Sequence, residues 1–192
     1  MAKQLRSTNF TKNTIKVLLL EDDPLDAGLV ERELLNGGIK HEILVVNNKA
    51  KFKQALKNYP ADVILSDHSL LNFDSKEALR MVKKAKIKVP FILITAAMTD
   101  EYAVNIMKEG ANDYILKDRL LRLPLAVTNA LKLFRLEKQH TVDRDKATAD
   151  LSRLNHRLQL ATQSANLGIW DWNIEDDTLE WDEGMYLLYG IT

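Results

Sequence analysis

The chain has 192 residues, 46% of them hydrophobic and 28% charged, enough for one ordinary domain with chain left over and too apolar for wholesale disorder. Lys+Arg and Asp+Glu both number 27, so no bulk positive field exists to hold nucleic acid or an anionic membrane non-specifically. Cysteine is absent, which excludes disulfide frameworks, thiol catalysis and cysteine zinc sites. Met1–Phe10 is polar, with no apolar signal-peptide core, and no run reaches the roughly 18 apolar residues of a membrane span. The expectation is a soluble, cytoplasmic protein with no nucleic-acid or membrane partner.

Five short apolar runs punctuate the first two-thirds: Ile15–Leu20, Ile43–Val46, Val63–Leu65, Phe91–Thr95 and Tyr114–Leu116. They are nearly continuous in Val, Ile and Leu, the pattern of strands buried on both faces of a parallel sheet. Amphipathic stretches separate them. Leu25–Leu35 reads as a helix stopped at Gly37-Gly38, with glycine where a left-handed cap is needed. Phe52–Leu56 belongs to a short helix ended by Pro60. A third helix begins at Asp74-Ser75-Lys76-Glu77, where Asp74 caps and Glu77 reaches back as in a capping box. The fourth, Glu101–Lys108, stops at Gly110, and a fifth starts near Pro124. Strict β-α alternation argues for an open α/β sheet with right-handed crossovers.

From Ala126 to about Ala165 there is neither Gly nor Pro, and charges are dense. Leu151, Leu154, Leu158, Ala161 and Ala165 fall at alternating three- and four-residue steps, a short heptad seam. Two readings stay open: a linker helix packing this stripe on its own domain, or a parallel dimer stalk. Trp170, Trp172 and Trp181 then gather near the C-terminus, where they are expected to pack as a small core. Gly168–Ile174 alternates like a strand, Glu175-Asp176-Asp177 makes a turn, and a second strand begins at Leu179, as if another domain were opening.

In an open α/β sheet, ligands bind beyond the carboxyl ends of the strands, at the switch point in strand order. The first run ends in Glu21-Asp22-Asp23, the third in Asp67, the fourth in Thr95 and the fifth in Lys117. With the doubly wound order 2-1-3-4-5 those strands are successive neighbours, so these side chains converge on one crevice. Asn47 and Asn48, after the second run, lie to the side and take no role. Crowded carboxylates repel and are relieved by a hard divalent cation, and magnesium also accepts a phosphoryl oxygen from a second molecule. Asp67 beside such a cation can act as a carboxylate nucleophile and form an aspartyl phosphate. Lys117 opposes the charge of the transferred oxygens and the Thr95 hydroxyl donates one hydrogen bond, a set suited to phosphoryl transfer. Each residue alone has a bland reading. The acidic triplet favours a helix N-terminus through the dipole, Thr95 is a strand residue and Lys117 a surface charge. Their joint order at successive strand ends is what points to chemistry.

At these residues the sequence resembles the receiver domain of two-component response regulators, a flavodoxin-like α/β fold with a five-stranded parallel sheet. The likeness covers about residues 13–136 and rests on Val17-Leu-Leu-Leu-Glu-Asp-Asp-Pro, Asp62-Val-Ile-Leu-Ser-Asp67, Ile92-Leu-Ile-Thr-Ala96 and Gly110-Ala-Asn-Asp-Tyr-Ile-Leu-Lys117. It implies that Asp67 is the phosphoacceptor, loaded by a histidine kinase or a histidine phosphotransfer protein. It implies Mg2+ held directly by Asp22, through water by Glu21, and by Asp67 and the main-chain carbonyl of Ser69. Thr95 matches the switch hydroxyl, Lys117 the phosphate-pairing lysine and Tyr114 the rotating aromatic, which would turn inward and remodel the helix-four, strand-five, helix-five face. Ala96 has the small side chain that phosphoryl access needs. Leu71 and Ser75 replace the Pro and Gly of many receivers, and Asp118 follows Lys117 where many have Pro.

Roughly Leu158–Thr192, especially Ala165-Asn-Leu-Gly-Ile-Trp-Asp-Trp-Asn, resembles the first part of a PAS domain, too short for a ligand pocket. The expected organisation is a receiver over 13–136, a helical linker over 137–164 and an incomplete PAS-like α+β segment over 165–192. The expected activity is a phosphoswitch and not a conventional enzyme, limited to self-phosphorylation from a donor and slow self-dephosphorylation. Homodimerisation through the helix-four, strand-five, helix-five face or the linker helix goes with it. The alternative is a non-phosphorylated dimerisation scaffold using the same fold and stalk. A dehalogenase-type hydrolase wants a second acid where Ser69 stands, and neither His140 nor His156 has the context of a kinase histidine.

Overall fold

Strands with no polar alternation are stable only when both faces are covered, and the first part of the chain is built on that requirement. The computed structural model describes residues 14–70, 73–96 and 99–191 and divides into two units, one ending at Leu136 and the other beginning at Glu137. Met1–Phe10 and Leu71 lie outside the described residues.

In the first unit the order is β1 (Ile15–Leu20), α1 (Pro24–Asn36), β2 (His41–Val46), α2 (Lys49–Asn58), β3 (Val63–Asp67), two-residue β4 (Ser69–Leu70) and β5 (Phe73–Asp74), α3 (Ser75–Lys84), β6 (Phe91–Thr95), α4 (Asp100–Lys108), β7 (Asp113–Leu116), a 3-10 turn over Lys117–Arg122, and α5 (Leu123–Ser164). The main sheet has five strands, all parallel, in the order β2-β1-β3-β6-β7. With the antiparallel β4–β5 pair set aside, this is the 2-1-3-4-5 order expected of a doubly wound sheet.

Alternate strand residues enter two separate cores. Val17, Leu19, Val63, Leu65, Ile92 and Ile94 meet Val30 and Leu34 of α1 and Leu123, Val127 and Leu131 of α5. Leu18, Leu20, Ile64, Phe91 and Leu93 meet Phe52 of α2, Leu79 and Val82 of α3 and Ile106 of α4. Two helices thus cover one face and three the other, and β3 and β6 are buried at every residue. Fully burying one such Leu or Ile stabilises by about 1.5–3 kcal/mol, so the sheet centre is where the unit's stability resides.

The helix ends follow local chemistry, with one departure from expectation. Asp23 caps α1 by accepting from the Leu25 N–H at 2.8 Å, and Asn48 caps α2 by accepting from Lys51 at 2.9 Å. After α1 the left-handed residue is Gly38, at φ +75°, while Gly37 sits at φ −78°. Gly37 is needed for a different reason: a Cβ there would stand 2.2 Å from the Pro124 Cβ, where the start of α5 lies against the end of α1. Asp74 caps α3 by accepting from the Glu77 N–H at 2.7 Å. Glu77, however, pairs with Lys49, so only half of the expected capping box forms.

Only the start of α5, from Leu123 to Leu131, contributes buried residues. Further along, Leu151, Leu154 and Leu158 are more than half exposed. Ala165 lies past the helix end, which shortens the seam to Leu151, Leu154, Leu158 and Ala161. In the second unit β8 (Trp170–Asn173) pairs antiparallel with β9 (Thr178–Trp181), and α6 (Glu183–Tyr189) follows. Trp181 contacts the rings of Tyr186 and Tyr189. Trp170 and Trp172 are about half exposed, against the expectation that they pack as a core. Among the described residues no helix is long and apolar enough to cross a membrane.

Candidate functional site

Parallel pairing sets the heights of the strand ends. Leu20 is level with Ser66, so Glu21 and Asp67 come out of the sheet side by side. Asp67 is level with Ile94, and Thr95 with Leu116, so Thr95 and Lys117 emerge one step beyond on the next two strands. Glu21, Asp67 and Thr95 are nearly fully buried, at 2%, 6% and 2% exposure, although all three are polar. Such burial demands partners.

Lys117 supplies one to both Glu21 and Asp67. Its Nζ lies 3.2 Å from Asp67 Oδ1, 3.1 Å from Glu21 Oε2 and 2.5 Å from Asp26 Oδ2. Burial alone would depress the ammonium pKa, but the hydrogen bonds to Asp26 and Glu21 and the charges of Glu21 and Asp67 outweigh it, leaving Lys117 firmly protonated. Burial raises the Glu21 carboxyl and the Asp67 charge adds to this, while the Asp23 N–H and Lys117 pull the other way. The Asp22 and Asp23 N–H groups both donate to Glu21 Oε1, at 3.1 Å each.

Glu21, Asp22 and Asp67 each offer an oxygen, and these oxygens lie within 4.8 Å of one another. Three carboxylate oxygens at such spacing fit a hard, oxygen-seeking divalent cation. Asp23, grouped with them in the sequence, is the cap of α1 and lies outside this set. Ser69 opens β4, opposite Asp74 of β5, two residues after Asp67. Tyr114 is half-buried on β7 and lines a groove with Ala103, Val104, Met107 and Lys108. Ala96 is exposed directly after Thr95. Asp118 is exposed too, so its charge is screened by water, and the described residues contain no cis peptide bond.

A family model described as the response regulator receiver domain matches residues 17–127, more than half of the chain. The chain belongs to the response regulator receiver family. Response regulator protein FleR of Pseudomonas aeruginosa is 30% identical over 102 residues, which are 53% of this chain and 21% of that protein. Luminescence regulatory protein LuxO of Vibrio campbellii is 30% identical over 115 residues, 59% of this chain and 25% of that one. The chain thus spans about a quarter or less of these relatives. The solved signal receiver domain of a LuxO repressor protein from Vibrio parahaemolyticus superposes with a TM-score of 0.61 at 25% identity, covering 66% of this chain and 97% of that domain. The receiver domain of sensor histidine kinase PA1611 from Pseudomonas aeruginosa has the same fold, with a TM-score of 0.54, 23% identity and coverage of 62% and 99%; it was solved with a magnesium ion in its active-site cleft. The receiver unit of this chain therefore belongs to two-component signalling.

Sequence reasoning missed two features of the receiver. Asp26 stands in the first turn of α1, where an acid reads as an ordinary dipole partner, and nothing local shows that Lys117, 91 residues later, comes to it. Ser75, noted only as a replacement for glycine, is buried, with its Oγ 3.1 Å from His68 Nδ1 and 3.3 Å from the Tyr102 hydroxyl. Tyr102 closes the triangle on His68 at 3.1 Å, tying the residue after Asp67 to the starts of α3 and α4.

Proposed function

We propose that this receiver takes a phosphoryl group onto Asp67 in a magnesium-dependent reaction and switches its α4/β7/α5 face in response. The observation that carries the reading is the Lys117 ammonium 3.2 Å from Asp67 Oδ1, beside three clustered carboxylate oxygens. An Asp67 oxygen attacks the phosphorus of a phosphohistidine, on a kinase or a histidine phosphotransfer protein. The P–O bond forms as the P–N bond breaks, and the departing imidazole takes up a proton. Glu21, Asp22, Asp67 and the Ser69 carbonyl would hold Mg2+, whose charge offsets that of the phosphoryl oxygens. Lys117 neutralises another share of that charge. The Thr95 hydroxyl donates to a transferred oxygen and, in doing so, draws on the half-buried Tyr114 as the switch. Turnover is confined to self-phosphorylation and self-dephosphorylation.

Residues 13–136 act as the receiver, 137–164 as a helical linker and 165–192 as the opening of a PAS-like domain. The exposed Leu151, Leu154 and Leu158 support pairing of two linker helices, and so also the reading of the chain as a dimerisation scaffold independent of phosphorylation. Intact-mass spectrometry after acetyl phosphate treatment decides between the readings. The phosphoswitch predicts a gain of one phosphoryl group that needs Mg2+ and is lost in Asp67→Ala. No gain from acetyl phosphate or a phosphohistidine protein in folded wild type, together with a donor-insensitive oligomeric state, selects the scaffold.

A further inference from the structure

A lysine ammonium has three N–H donors, and at Lys117 three carboxylates approach it: Glu21, Asp26 and Asp67. Two of these have other tasks in the proposed reaction. Asp67 becomes the acyl phosphate, and Glu21 belongs to the trio of close-set oxygens suited to a cation. Asp26 lies outside that trio, yet its 2.5 Å contact with Lys117 is the shortest of the three. It is also well anchored, because the Asp23 cap fixes the first turn of α1 from which it projects.

We infer that Asp26 is a positioning residue, which holds the Lys117 ammonium beside Asp67 while the lysine's other contacts change from carboxylate to phosphoryl oxygens. This inference rests on the phosphoacceptor reading. Lys117 carries its charge on a flexible four-carbon stem, and at 21% side-chain exposure it has room to turn toward water. When Asp67 is phosphorylated its own carboxylate charge is lost, and the attraction passes to the phosphoryl oxygens. Asp26 is the contact that persists through this exchange. The lysine is thereby kept in place before the transfer, which is where orientation lowers a barrier.

The test uses the full chain with Asp26→Ala and Asp26→Asn; the asparagine keeps an oxygen acceptor without the charge. The first readout needs no phosphorylation: carbon–proton NMR of the Lys117 Cε group, assigned with Lys117→Arg. Wild type should show an immobilised side chain, Asp26→Ala one with the averaged shifts and fast motion of a free lysine, and Asp26→Asn one that stays largely immobilised. The second readout is phosphorylation by acetyl phosphate at saturating Mg2+. Asp26→Ala should lower the maximal rate about tenfold with KM for the donor unchanged, and Asp26→Asn should recover most of the loss.

A Lys117 side chain that stays immobilised in Asp26→Ala overturns the inference, as does an unchanged maximal rate. Equal losses in both variants, matched by equal falls in melting temperature, also overturn it, by showing a structural role. A wild type that takes up no phosphoryl group rejects the phosphoacceptor reading, while the NMR result still decides whether Asp26 holds Lys117.

Discussion

The two units treat apolar residues in opposite ways. In the receiver, Leu18, Leu65, Ile92 and Ile94 are fully buried between two layers of helices. In the second unit, Trp170, Trp172, Ile174, Leu179 and Leu187 are all more than half exposed. Five parallel strands with helices on both faces close a core on their own, whereas the second unit's hairpin, the later part of α5 and the short α6 leave these side chains in contact with solvent. The same contrast holds for charge. Lys117 meets three carboxylates where water is largely excluded, while Arg153 and Asp150, on the exposed run of α5, pair at 3.7 Å in open solvent. The difference teaches that residue type tells little about energy until a second layer is present.

The largest test of this contrast lies in the cores. Leu65→Ala should destabilise the receiver by about 4 kcal/mol, as expected when a buried Leu leaves a cavity, whereas Trp172→Ala should leave the receiver's unfolding midpoint in place. Denaturant unfolding checks both, and a large receiver shift from Trp172→Ala would break the separation of the units. Next comes charge. Lys117→Ala strands the buried carboxylates and should cost about 3 kcal/mol without metal. Added Mg2+ should restore much of it, and Arg153→Ala should change nothing measurable.

A smaller effect concerns pH. The Glu21 carboxyl is raised above the ordinary glutamate value of 4.5, chiefly by burial. For an acid raised by folding, the ionised form is the disfavoured one, so Glu21 opposes stability at neutral pH and that opposition fades as pH falls through its pKa. Cation binding needs the ionised form, so apparent Mg2+ affinity should fall about tenfold per pH unit once the pH drops below that raised pKa. Calorimetric titration checks this; affinity that holds flat down to the ordinary glutamate range would refute it. The smallest effect contrasts two helix caps. Asp74→Ala should cost the receiver about 1 kcal/mol. Asp182→Ala removes the acceptor of the Ile169 and Met185 N–H groups, and should show only as faster hydrogen exchange in the second unit.

Much of the receiver was legible in its sequence. Continuous Val, Ile and Leu runs marked the buried strands, and the polar residues after the first, third, fourth and fifth runs marked the candidate site, because chain direction in a parallel sheet puts them on one edge. The Gly37 contact with Pro124 and the pairing of Glu77 with Lys49 were not legible, since each depends on how one helix lies against another. The tryptophans misled for a related reason. Large apolar residues announce a need for burial, but only a second layer can meet it.

The sequence by itself determined the five strands of the main sheet, the order in which their ends carry Glu21, Asp67, Thr95 and Lys117, and that a long uninterrupted helix follows. These are properties of periodicity and chain direction, written in neighbouring residues. Only the tertiary structure decided that Lys117 reaches Asp26 as well as Glu21 and Asp67, and that Ser75 joins His68 and Tyr102. Contacts between side chains far apart in the chain are set by the crossing of packed elements, to a precision that no local pattern encodes.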